Sequence, residues 1–176
     1  MNRAELEHII RAAAGVTGQA DLVVIGSQAI LAQFPDAPAT FLVSMEADLY
    51  PRHRPDLSIQ VDGAIGERSL FHETFGYYAH GVDETTATLP AGWQDRLLPI
   101  HNENTGGATG WCLEVHDLAA SKLVACRQKD LDFVRLLLSE KMVSAKTLAS
   151  RVEALALPRD RLDLVWARFG RLQSGF

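Results

Sequence analysis

The stretch DLVVIGSQAILAQF, residues 21–34, predicts a strand, a glycine turn and a short helix in direct succession. Its opening DLVVI is almost wholly apolar, which is the pattern of a buried strand. Gly26-Ser27 interrupts that strand, and Pro35 stops the following helix. Because glycine lets another group approach the backbone and a helix start presents unpaired N–H groups, Gly26 and Ser27 form a candidate phosphate-binding turn. On this motif alone, an ordinary turn glycine followed by an N-cap serine is the competing interpretation.

Outward from this stretch, the sequence predicts a mixed α/β region. Asn2 caps an amphipathic N-terminal helix that Gly15 and Gly18 end. Pro99 places one of the later strands at a sheet edge or a strand end. The alternation of apolar residues predicts those strands at 41–50, 75–82, 96–100 and 111–115, with 57–61 either a strand or a helix start.

From His116 onward the pattern is helical, with helices predicted at 117–141, 144–155 and 158–172. The fold class is therefore α/β (α+β), with a small mixed sheet flanked by helices and followed by a C-terminal helical bundle. We expect two parts, an α/β core with the N-terminal helix over 1–115 and a helical portion over 116–176 packed on it.

The charges are unevenly divided along the chain. The whole sequence has 17 basic and 22 acidic residues, net −5, which argues against a protein that coats nucleic acid. Residues 1–126 carry 7 basic and 16 acidic side chains, net −9, whereas residues 127–176 carry 10 and 6, net +4. The first part could therefore hold cations, and the second part could bind an anionic partner.

Cysteine usage and hydropathy predict a location and exclude some classes. The two cysteines have apolar neighbours and no secretory leader precedes Asn2, so we expect a cytoplasmic protein. The longest apolar runs fall far short of the roughly 20 residues that a membrane helix needs, so no membrane partner is expected. The six histidines show no zinc-ligand spacing apart from Cys112 and His116, so no zinc site is predicted.

Glu46 and Asp48 close the apolar strand predicted at 41–50. Side chains two apart on a strand point to the same side, so both carboxylates would face one pocket. Their mutual repulsion is tolerable chiefly if a divalent cation lies between them, which makes the pair a candidate metal site. A solvated strand end before the turn at Pro51 is an equally good interpretation of this motif alone.

The block KLVACRQKDLDF, residues 122–133, carries the third candidate. On a continuous helix, Lys122, Lys129 and Asp130 lie within one broad sector, so a lysine and a carboxylate would project along one groove. A solvated helix face is the competing interpretation. Together, a phosphate turn, a carboxylate pair and a distant cation with a base are the parts of a phosphoryl or nucleotidyl transfer site.

The order of these motifs resembles the minimal nucleotidyltransferase fold, specifically the abortive-infection toxin nucleotidyltransferases of bacterial type IV toxin–antitoxin systems. The resemblance spans about residues 20–140 and is most distinctive in the Lys122 to Asp130 block, which includes Arg127. It implies an enzyme that uses Mg²⁺ and a nucleoside triphosphate (NTP). It further implies that Glu46 and Asp48 hold the Mg²⁺ that bridges the triphosphate.

The same resemblance implies roles for the remaining residues. Gly26 and Ser27 would cradle the outer phosphates, and Lys122 would neutralise charge there, with Arg127 also binding the nucleotide. Asp130 would orient or deprotonate the attacking hydroxyl. The expected partners are an NTP, a tRNA 3′ end or other RNA, and a cognate antitoxin.

The chain departs from the family pattern in carrying Glu46 where the first aspartate is usual. The fold often supplies a further carboxylate from a later strand, and Asp83 is the candidate for this metal ligand, with a polar hairpin turn as the alternative. Three functions remain open: a nucleotidyltransferase acting on RNA or on a protein side chain, a non-catalytic binding or regulatory module, and a metal-dependent phosphohydrolase.

Overall fold

The N-terminal helix α1, Arg3–Thr17, begins and ends on local signals. The Asn2 side chain accepts a hydrogen bond from the backbone of Glu5, and the Glu5 carboxylate accepts one from the Asn2 backbone, so both helix-start donors are satisfied. Gly18 ends the helix in the left-handed conformation, at φ 65°. The predicted cap is therefore confirmed, while Gly15 lies within the helix rather than at its end.

The structure is a computed structural model in which residues 1–173 are described. No helix among them combines the length and the apolar character needed to cross a membrane. The strands are β1 Asp21–Val24, β2 Glu46–Pro51, β3 Tyr78–Gly81, β4 Leu98–Ile100 and β5 Thr109–Cys112. The helices after α1 are α2 Ile30–Gln33, α3 Ser58–Ile65, α4 Leu70–Phe75, α5 Val115–Ala125, α6 Gln128–Ser139, α7 Ala145–Glu153 and α8 Arg159–Gln173.

The strands form one five-stranded mixed sheet in the order β3-β2-β1-β5-β4. β1 pairs antiparallel with β2 and parallel with β5, β2 pairs parallel with β3, and β4 pairs antiparallel with β5. β4, which contains Pro99, lies at an edge as predicted, because proline cannot donate to a neighbouring strand. The predicted fold class, a mixed sheet flanked by helices, is confirmed.

The chain divides into two compact units. The first comprises Met1–Thr86 and Leu97–Glu114, and the second comprises Ala87–Arg96 and the chain from Val115 onward. The first unit holds the whole sheet, and its core includes the buried face of α1, formed by Leu6, Ile9, Ile10 and Ala13.

The second unit includes the segment Ala87–Arg96, which has no counterpart in the sequence prediction. The backbone of Ala91 donates to Ala154 at 2.8 Å. Arg96 forms a bidentate ion pair with the fully buried Asp117, in which Nε and Nη2 donate to the two carboxylate oxygens at 2.8 and 2.9 Å. Both bonds join this segment to the helices, and neither is visible in local sequence.

The strand predicted at 41–50 is wrong in its first half. Residues Ala39–Phe41 form a 3₁₀ turn, and regular pairing begins only at Glu46. The amino group of Met1 donates to the carbonyls of Leu42 and Ser44, at 2.6 and 2.8 Å. Because these carbonyls bind the chain terminus, they are not engaged in a strand ladder.

The continuous helix predicted at 117–141 is two helices. Cys126 takes the left-handed conformation with φ 58°, and Arg127 is the extended N-cap residue of α6. Cysteine rarely adopts this conformation, so the break between α5 and α6 had no clear sequence signal.

Three shorter predictions are also revised. Residues 57–61 take the helical alternative: Leu57 ends a 3₁₀ turn, and residues 58–61 form the first half of α3. α4 occupies the start of the predicted strand 75–82 until Gly76, at φ 78°, ends it. The strand predicted at 111–115 lies at Thr109–Cys112, and Val115 already belongs to α5.

Gly81 lies where α3 packs directly on β3. A Cβ there would overlap the Ser58 carbonyl oxygen and lie 2.8 Å from its carbon, so the backbone must move. We expect Gly81→Ala to lower the free energy of unfolding by about 1–3 kcal/mol, measured by urea denaturation. Gly63→Ala, on α3 with no heavy atom within 4 Å, is the control and should stabilise by up to about 1 kcal/mol. Equal stability of Gly81→Ala and wild type would contradict this packing.

Candidate functional site

Asp48 lies directly against the backbone of Gly26. The antiparallel pairing of β1 and β2 continues past β1, where the Ile25 backbone donates to the Asp48 carbonyl at 3.0 Å. A Cβ at Gly26 would overlap Asp48 Oδ2 and lie 3.0 Å from the Asp48 Cβ and Cγ atoms. Glycine is therefore required here because the Asp48 side chain approaches the backbone.

The turn after β1 differs from the sequence interpretation in which Ser27 is an ordinary N-cap residue. The 3₁₀ turn Ser27–Ala29 starts after Gly26, which is the cap residue, so Ser27 is not the N-cap. Gln28 is fully buried, and its Nε2 donates to the Ser44 carbonyl at 3.1 Å. This bond joins the turn to the segment that precedes Glu46.

Glu46, Asp48 and His80 form a cluster on neighbouring strands. The parallel register of β2 and β3 sets Asp48 opposite His80. His80 Nδ1 lies 3.2 Å from Asp48 Oδ1 and 3.3 Å from Glu46 Oε1. Each residue offers one ligand atom, and these atoms all lie within 4.8 Å of one another. The structure thus brings Gly26, Glu46 and Asp48 together and adds a histidine.

Glu46 is held from two further directions. Tyr78, its register partner on β3, donates its hydroxyl to Glu46 Oε2 at 3.0 Å. The Glu46 backbone donates to Ser44 Oγ at 3.1 Å. Oε2 is thereby engaged, and Oε1 faces the cluster.

The ionisation of the pair reflects the crowding of two carboxylates. Burial and the neighbouring Glu46 raise the pKa of Asp48 to about 6, although His80 opposes the shift. Burial also opposes ionisation of Glu46, but hydrogen bonds with Asp48 and Tyr78 outweigh it and lower its pKa. Burial lowers the pKa of His80, yet both carboxylates outweigh this effect and raise it. Asp48 therefore ionises at a higher pH than an ordinary aspartate, and a bound cation would favour its charged form.

The donor set fits a divalent cation. Two carboxylates could supply the oxygen ligands and negative charge that such ions take, and the imidazole could supply a nitrogen ligand. The Glu46 and Asp48 side chains are 36% and 28% exposed, so an ion could reach them. The sequence pattern identified the two carboxylates. It did not identify His80, because the register between two strands cannot be predicted from neighbouring residues.

Asp83 lies elsewhere in the first unit. It is exposed, and one of its carboxylate oxygens accepts bonds from the Thr85 backbone, at 2.8 Å, and hydroxyl, at 2.5 Å. These bonds lower its pKa. In residues 1–173 the clustered ligand atoms include His80 and not Asp83, so the third-ligand role of Asp83 stays a prediction.

Lys122, Arg127 and Asp130 form an ion cluster in the second unit. Asp130 is fully buried; its Oδ1 accepts from Lys122 Nζ at 3.1 Å and from Arg127 Nη2 at 3.3 Å, and its Oδ2 accepts from Arg127 Nε at 2.6 Å. Lys122 Nζ also lies 4.6 Å from the centroid of the Phe133 ring, within cation–π range. The solvated-face interpretation is wrong for Lys122 and Asp130, which are both buried. Arg127 stays 65% exposed and can meet an anion.

The two cations hold Asp130 ionised. Burial opposes its ionisation, but the Arg127 hydrogen bond and the Lys122 charge outweigh burial and lower its pKa. A base with a depressed pKa accepts a proton poorly. The general-base role implied for Asp130 thus requires that these contacts loosen.

The lowered pKa of Asp130 predicts a dependence of stability on pH. The group contributes stability that is fully present above its unfolded pKa, about 4, and is lost as pH falls through the lower folded value. Urea denaturation from pH 7 to pH 3 should therefore show a smaller loss of stability in Asp130→Asn than in wild type. Parallel losses in the two proteins would contradict the shift.

No curated protein and no solved structure matches the chain. A family model does: it is described as a nucleotidyltransferase of unknown function, DUF6036, and it matches residues 4–163, from the start of α1 into α8. The predicted nucleotidyltransferase family is thereby confirmed at this level. Because the match covers most of the chain, the protein belongs to the nucleotidyltransferase family DUF6036.

Proposed function

We propose that the protein transfers a nucleotide from an NTP to an RNA acceptor, such as a tRNA 3′ end, in an Mg²⁺-dependent reaction. The observation that carries the proposal is the close placement of Asp48 on the Gly26 backbone, with Glu46 beside it, in a member of a nucleotidyltransferase family. A carboxylate pair next to a glycine turn suits a cation and the phosphates that it accompanies.

The first unit would bind the triphosphate. Glu46 and Asp48, with His80, would hold the divalent ion, which when bound offsets the charge of the triphosphate. Because Gly26 has no side chain, the Asp48 carboxylate lies against the turn, and N–H groups at the start of the turn would donate to phosphate oxygens beside the same ion. Ser27 begins the 3₁₀ turn and would add a hydroxyl donor.

The reaction is a substitution at the α-phosphorus. An acceptor hydroxyl forms a new P–O bond, the bond to pyrophosphate breaks, and the hydroxyl proton goes to a base, the role implied for Asp130. Lys122 and Arg127 would offset phosphate charge in the NTP or the RNA. Since both bind Asp130, we propose that this carboxylate also orients the two cations.

Two features support an RNA acceptor and a toxin role. Residues 127–176 carry a net charge of +4, which suits a polyanion. The order of motifs resembles the abortive-infection toxins, from which the toxin role and a cognate antitoxin are inferred. Growth arrest on expression, relieved by a neighbouring small gene, would test this role.

The direct test is transfer of label from each of the four radiolabelled NTPs to total RNA with Mg²⁺. We expect label in RNA with at least one NTP, and none after chelation of divalent ions. Ribonuclease and protease digestion of the product separate an RNA acceptor from a protein one. Absence of label in every combination would overturn the proposed activity, whereas phosphate release without an acceptor would indicate a phosphohydrolase.

A non-catalytic nucleotide-binding module is the second candidate, because one observation favours it. His80 Nδ1 lies within 3.3 Å of both carboxylates and, when protonated, already supplies a cation to the pair. Calorimetry separates the candidates: NTP binding that is independent of Mg²⁺ and yields no product supports the module.

A further inference from the structure

We propose that His80 is the third ligand of the metal centre, and that its imidazole shifts ion preference from Mg²⁺ toward divalent ions that accept nitrogen, such as Mn²⁺. This inference rests on the divalent ion of the proposed function. It concerns which ion the centre selects and which residue selects it.

Three ligand atoms converge because of strand register. Residues 46 and 48 share one side of β2, and residue 80 lies opposite 48 on the parallel strand β3. The neighbours leave one atom of each residue facing this point. Tyr78 binds Glu46 Oε2, which leaves Oε1 toward the cluster, and His80 Nδ1 lies 3.3 Å from Glu46 Oε1 and 3.2 Å from Asp48 Oδ1.

The type of the third ligand has chemical consequences. Mg²⁺ favours an all-oxygen shell and gives up water reluctantly, whereas imidazole is a good ligand for later divalent metals. Mn²⁺ takes carboxylate oxygen as Mg²⁺ does, but it belongs to the transition-metal series and tolerates a nitrogen ligand better than Mg²⁺, so it is a suitable probe for the imidazole. Two carboxylates and a neutral imidazole carry two negative charges, which a divalent ion neutralises. A third carboxylate would leave one negative charge in excess.

The opposing interpretation makes His80 a competitor. A protonated imidazole at this position would repel an ion, and its removal would then strengthen metal binding. The two interpretations predict opposite signs for one variant, which makes the ligand role testable without any nucleotide.

The test measures Mn²⁺ binding to the full chain, without NTP or RNA, by electron paramagnetic resonance of free Mn²⁺, and Mg²⁺ by competition. We expect His80→Asp to lower the ratio of Mn²⁺ to Mg²⁺ affinity by at least about tenfold. His80→Asn, which adds no charge, should weaken Mn²⁺ binding. His53→Asn is the control, because His53 is exposed and lies 3.9 Å from a single carboxylate, Asp21; its ratio should stay unchanged.

A second readout identifies the ligand directly. Spin-echo spectra of bound Mn²⁺ should show modulation from a directly bound ¹⁴N nucleus in wild type and His53→Asn, and none in His80→Asp. Circular dichroism and thermal unfolding confirm that the variants fold, as expected for a side chain that is 52% exposed.

Two outcomes would overturn the inference: tighter Mn²⁺ binding in His80→Asn, or an unchanged Mn²⁺ to Mg²⁺ ratio with no ¹⁴N signal. The failure of the proposed function has a different signature. Nitrogen-ligated Mn²⁺ without label transfer contradicts the activity alone, and transfer with an unchanged ratio and no ¹⁴N signal contradicts the ligand role alone.

Discussion

Asp48→Asn should lower label transfer by about three orders of magnitude at saturating Mg²⁺. The change removes an anionic ligand but keeps the shape of the side chain, so the contact with Gly26 is preserved. Loss of that ligand forfeits several kcal/mol of charge stabilisation, and each 1.4 kcal/mol, roughly, is tenfold in rate. The rate is measured as moles of labelled nucleotide transferred to RNA per mole of enzyme per minute, with one NTP present.

The matched control for this variant is Asp36→Asn, which removes an exposed carboxylate from a loop of the same unit. Its transfer rate should equal that of wild type. Both variants should unfold at wild-type temperature or above, since removing the crowded Asp48 charge relieves repulsion by Glu46. Undiminished transfer by Asp48→Asn would remove the metal role from this carboxylate and, with it, the basis of the proposed site.

Asp130→Ala should lower the free energy of unfolding by about 3–5 kcal/mol at neutral pH. The aspartate is fully buried between two cations, and its removal leaves the Lys122 ammonium, with an 11% exposed side chain, without this partner. A buried charge whose counter-charge is deleted is among the largest single costs in a folded protein. Urea denaturation monitored by circular dichroism measures the loss.

Asp132→Ala provides the control on the same helix. Asp132 pairs with Arg135 in an exposed bridge with both side chains 52% exposed, so its removal should cost less than about 1 kcal/mol. The double replacement Lys122→Met with Asp130→Leu should recover much of the stability lost in Asp130→Ala, because the Lys122 ammonium is removed together with its carboxylate partner. If Asp130→Ala is as stable as wild type, the ion cluster has no structural role, and the role of Asp130 as a base becomes the better explanation for its position.

The sequence predicted the features that depend on neighbouring residues. The Asn2 cap and the strand before Gly26 were placed correctly, because capping and strand patterns need only a few adjacent side chains. The edge position of β4 followed from the missing N–H of Pro99. The carboxylate pair was recognisable for the same reason, since alternation along one strand is a local property.

The missed features depend on contacts between distant residues. The terminal amine of Met1 occupies the carbonyls of Leu42 and Ser44, which no alternation of side chains reveals. His80 joins the carboxylates only through the pairing of two strands more than 30 residues apart in sequence. Asp130 was predicted on a continuous helix, yet it meets Lys122 across the break at Cys126.

The parallel register of β2 and β3 makes the cluster sensitive to chain length. Deleting or inserting one residue just before β3 would shift the strand by one position against β2, and every β3 side chain would change sides. Ala79, now fully buried, would then face the carboxylates, and the imidazole would point toward the core. A functional member of this family should therefore keep the length of β3 unchanged, and length changes should accumulate in the turn beyond Gly81 instead.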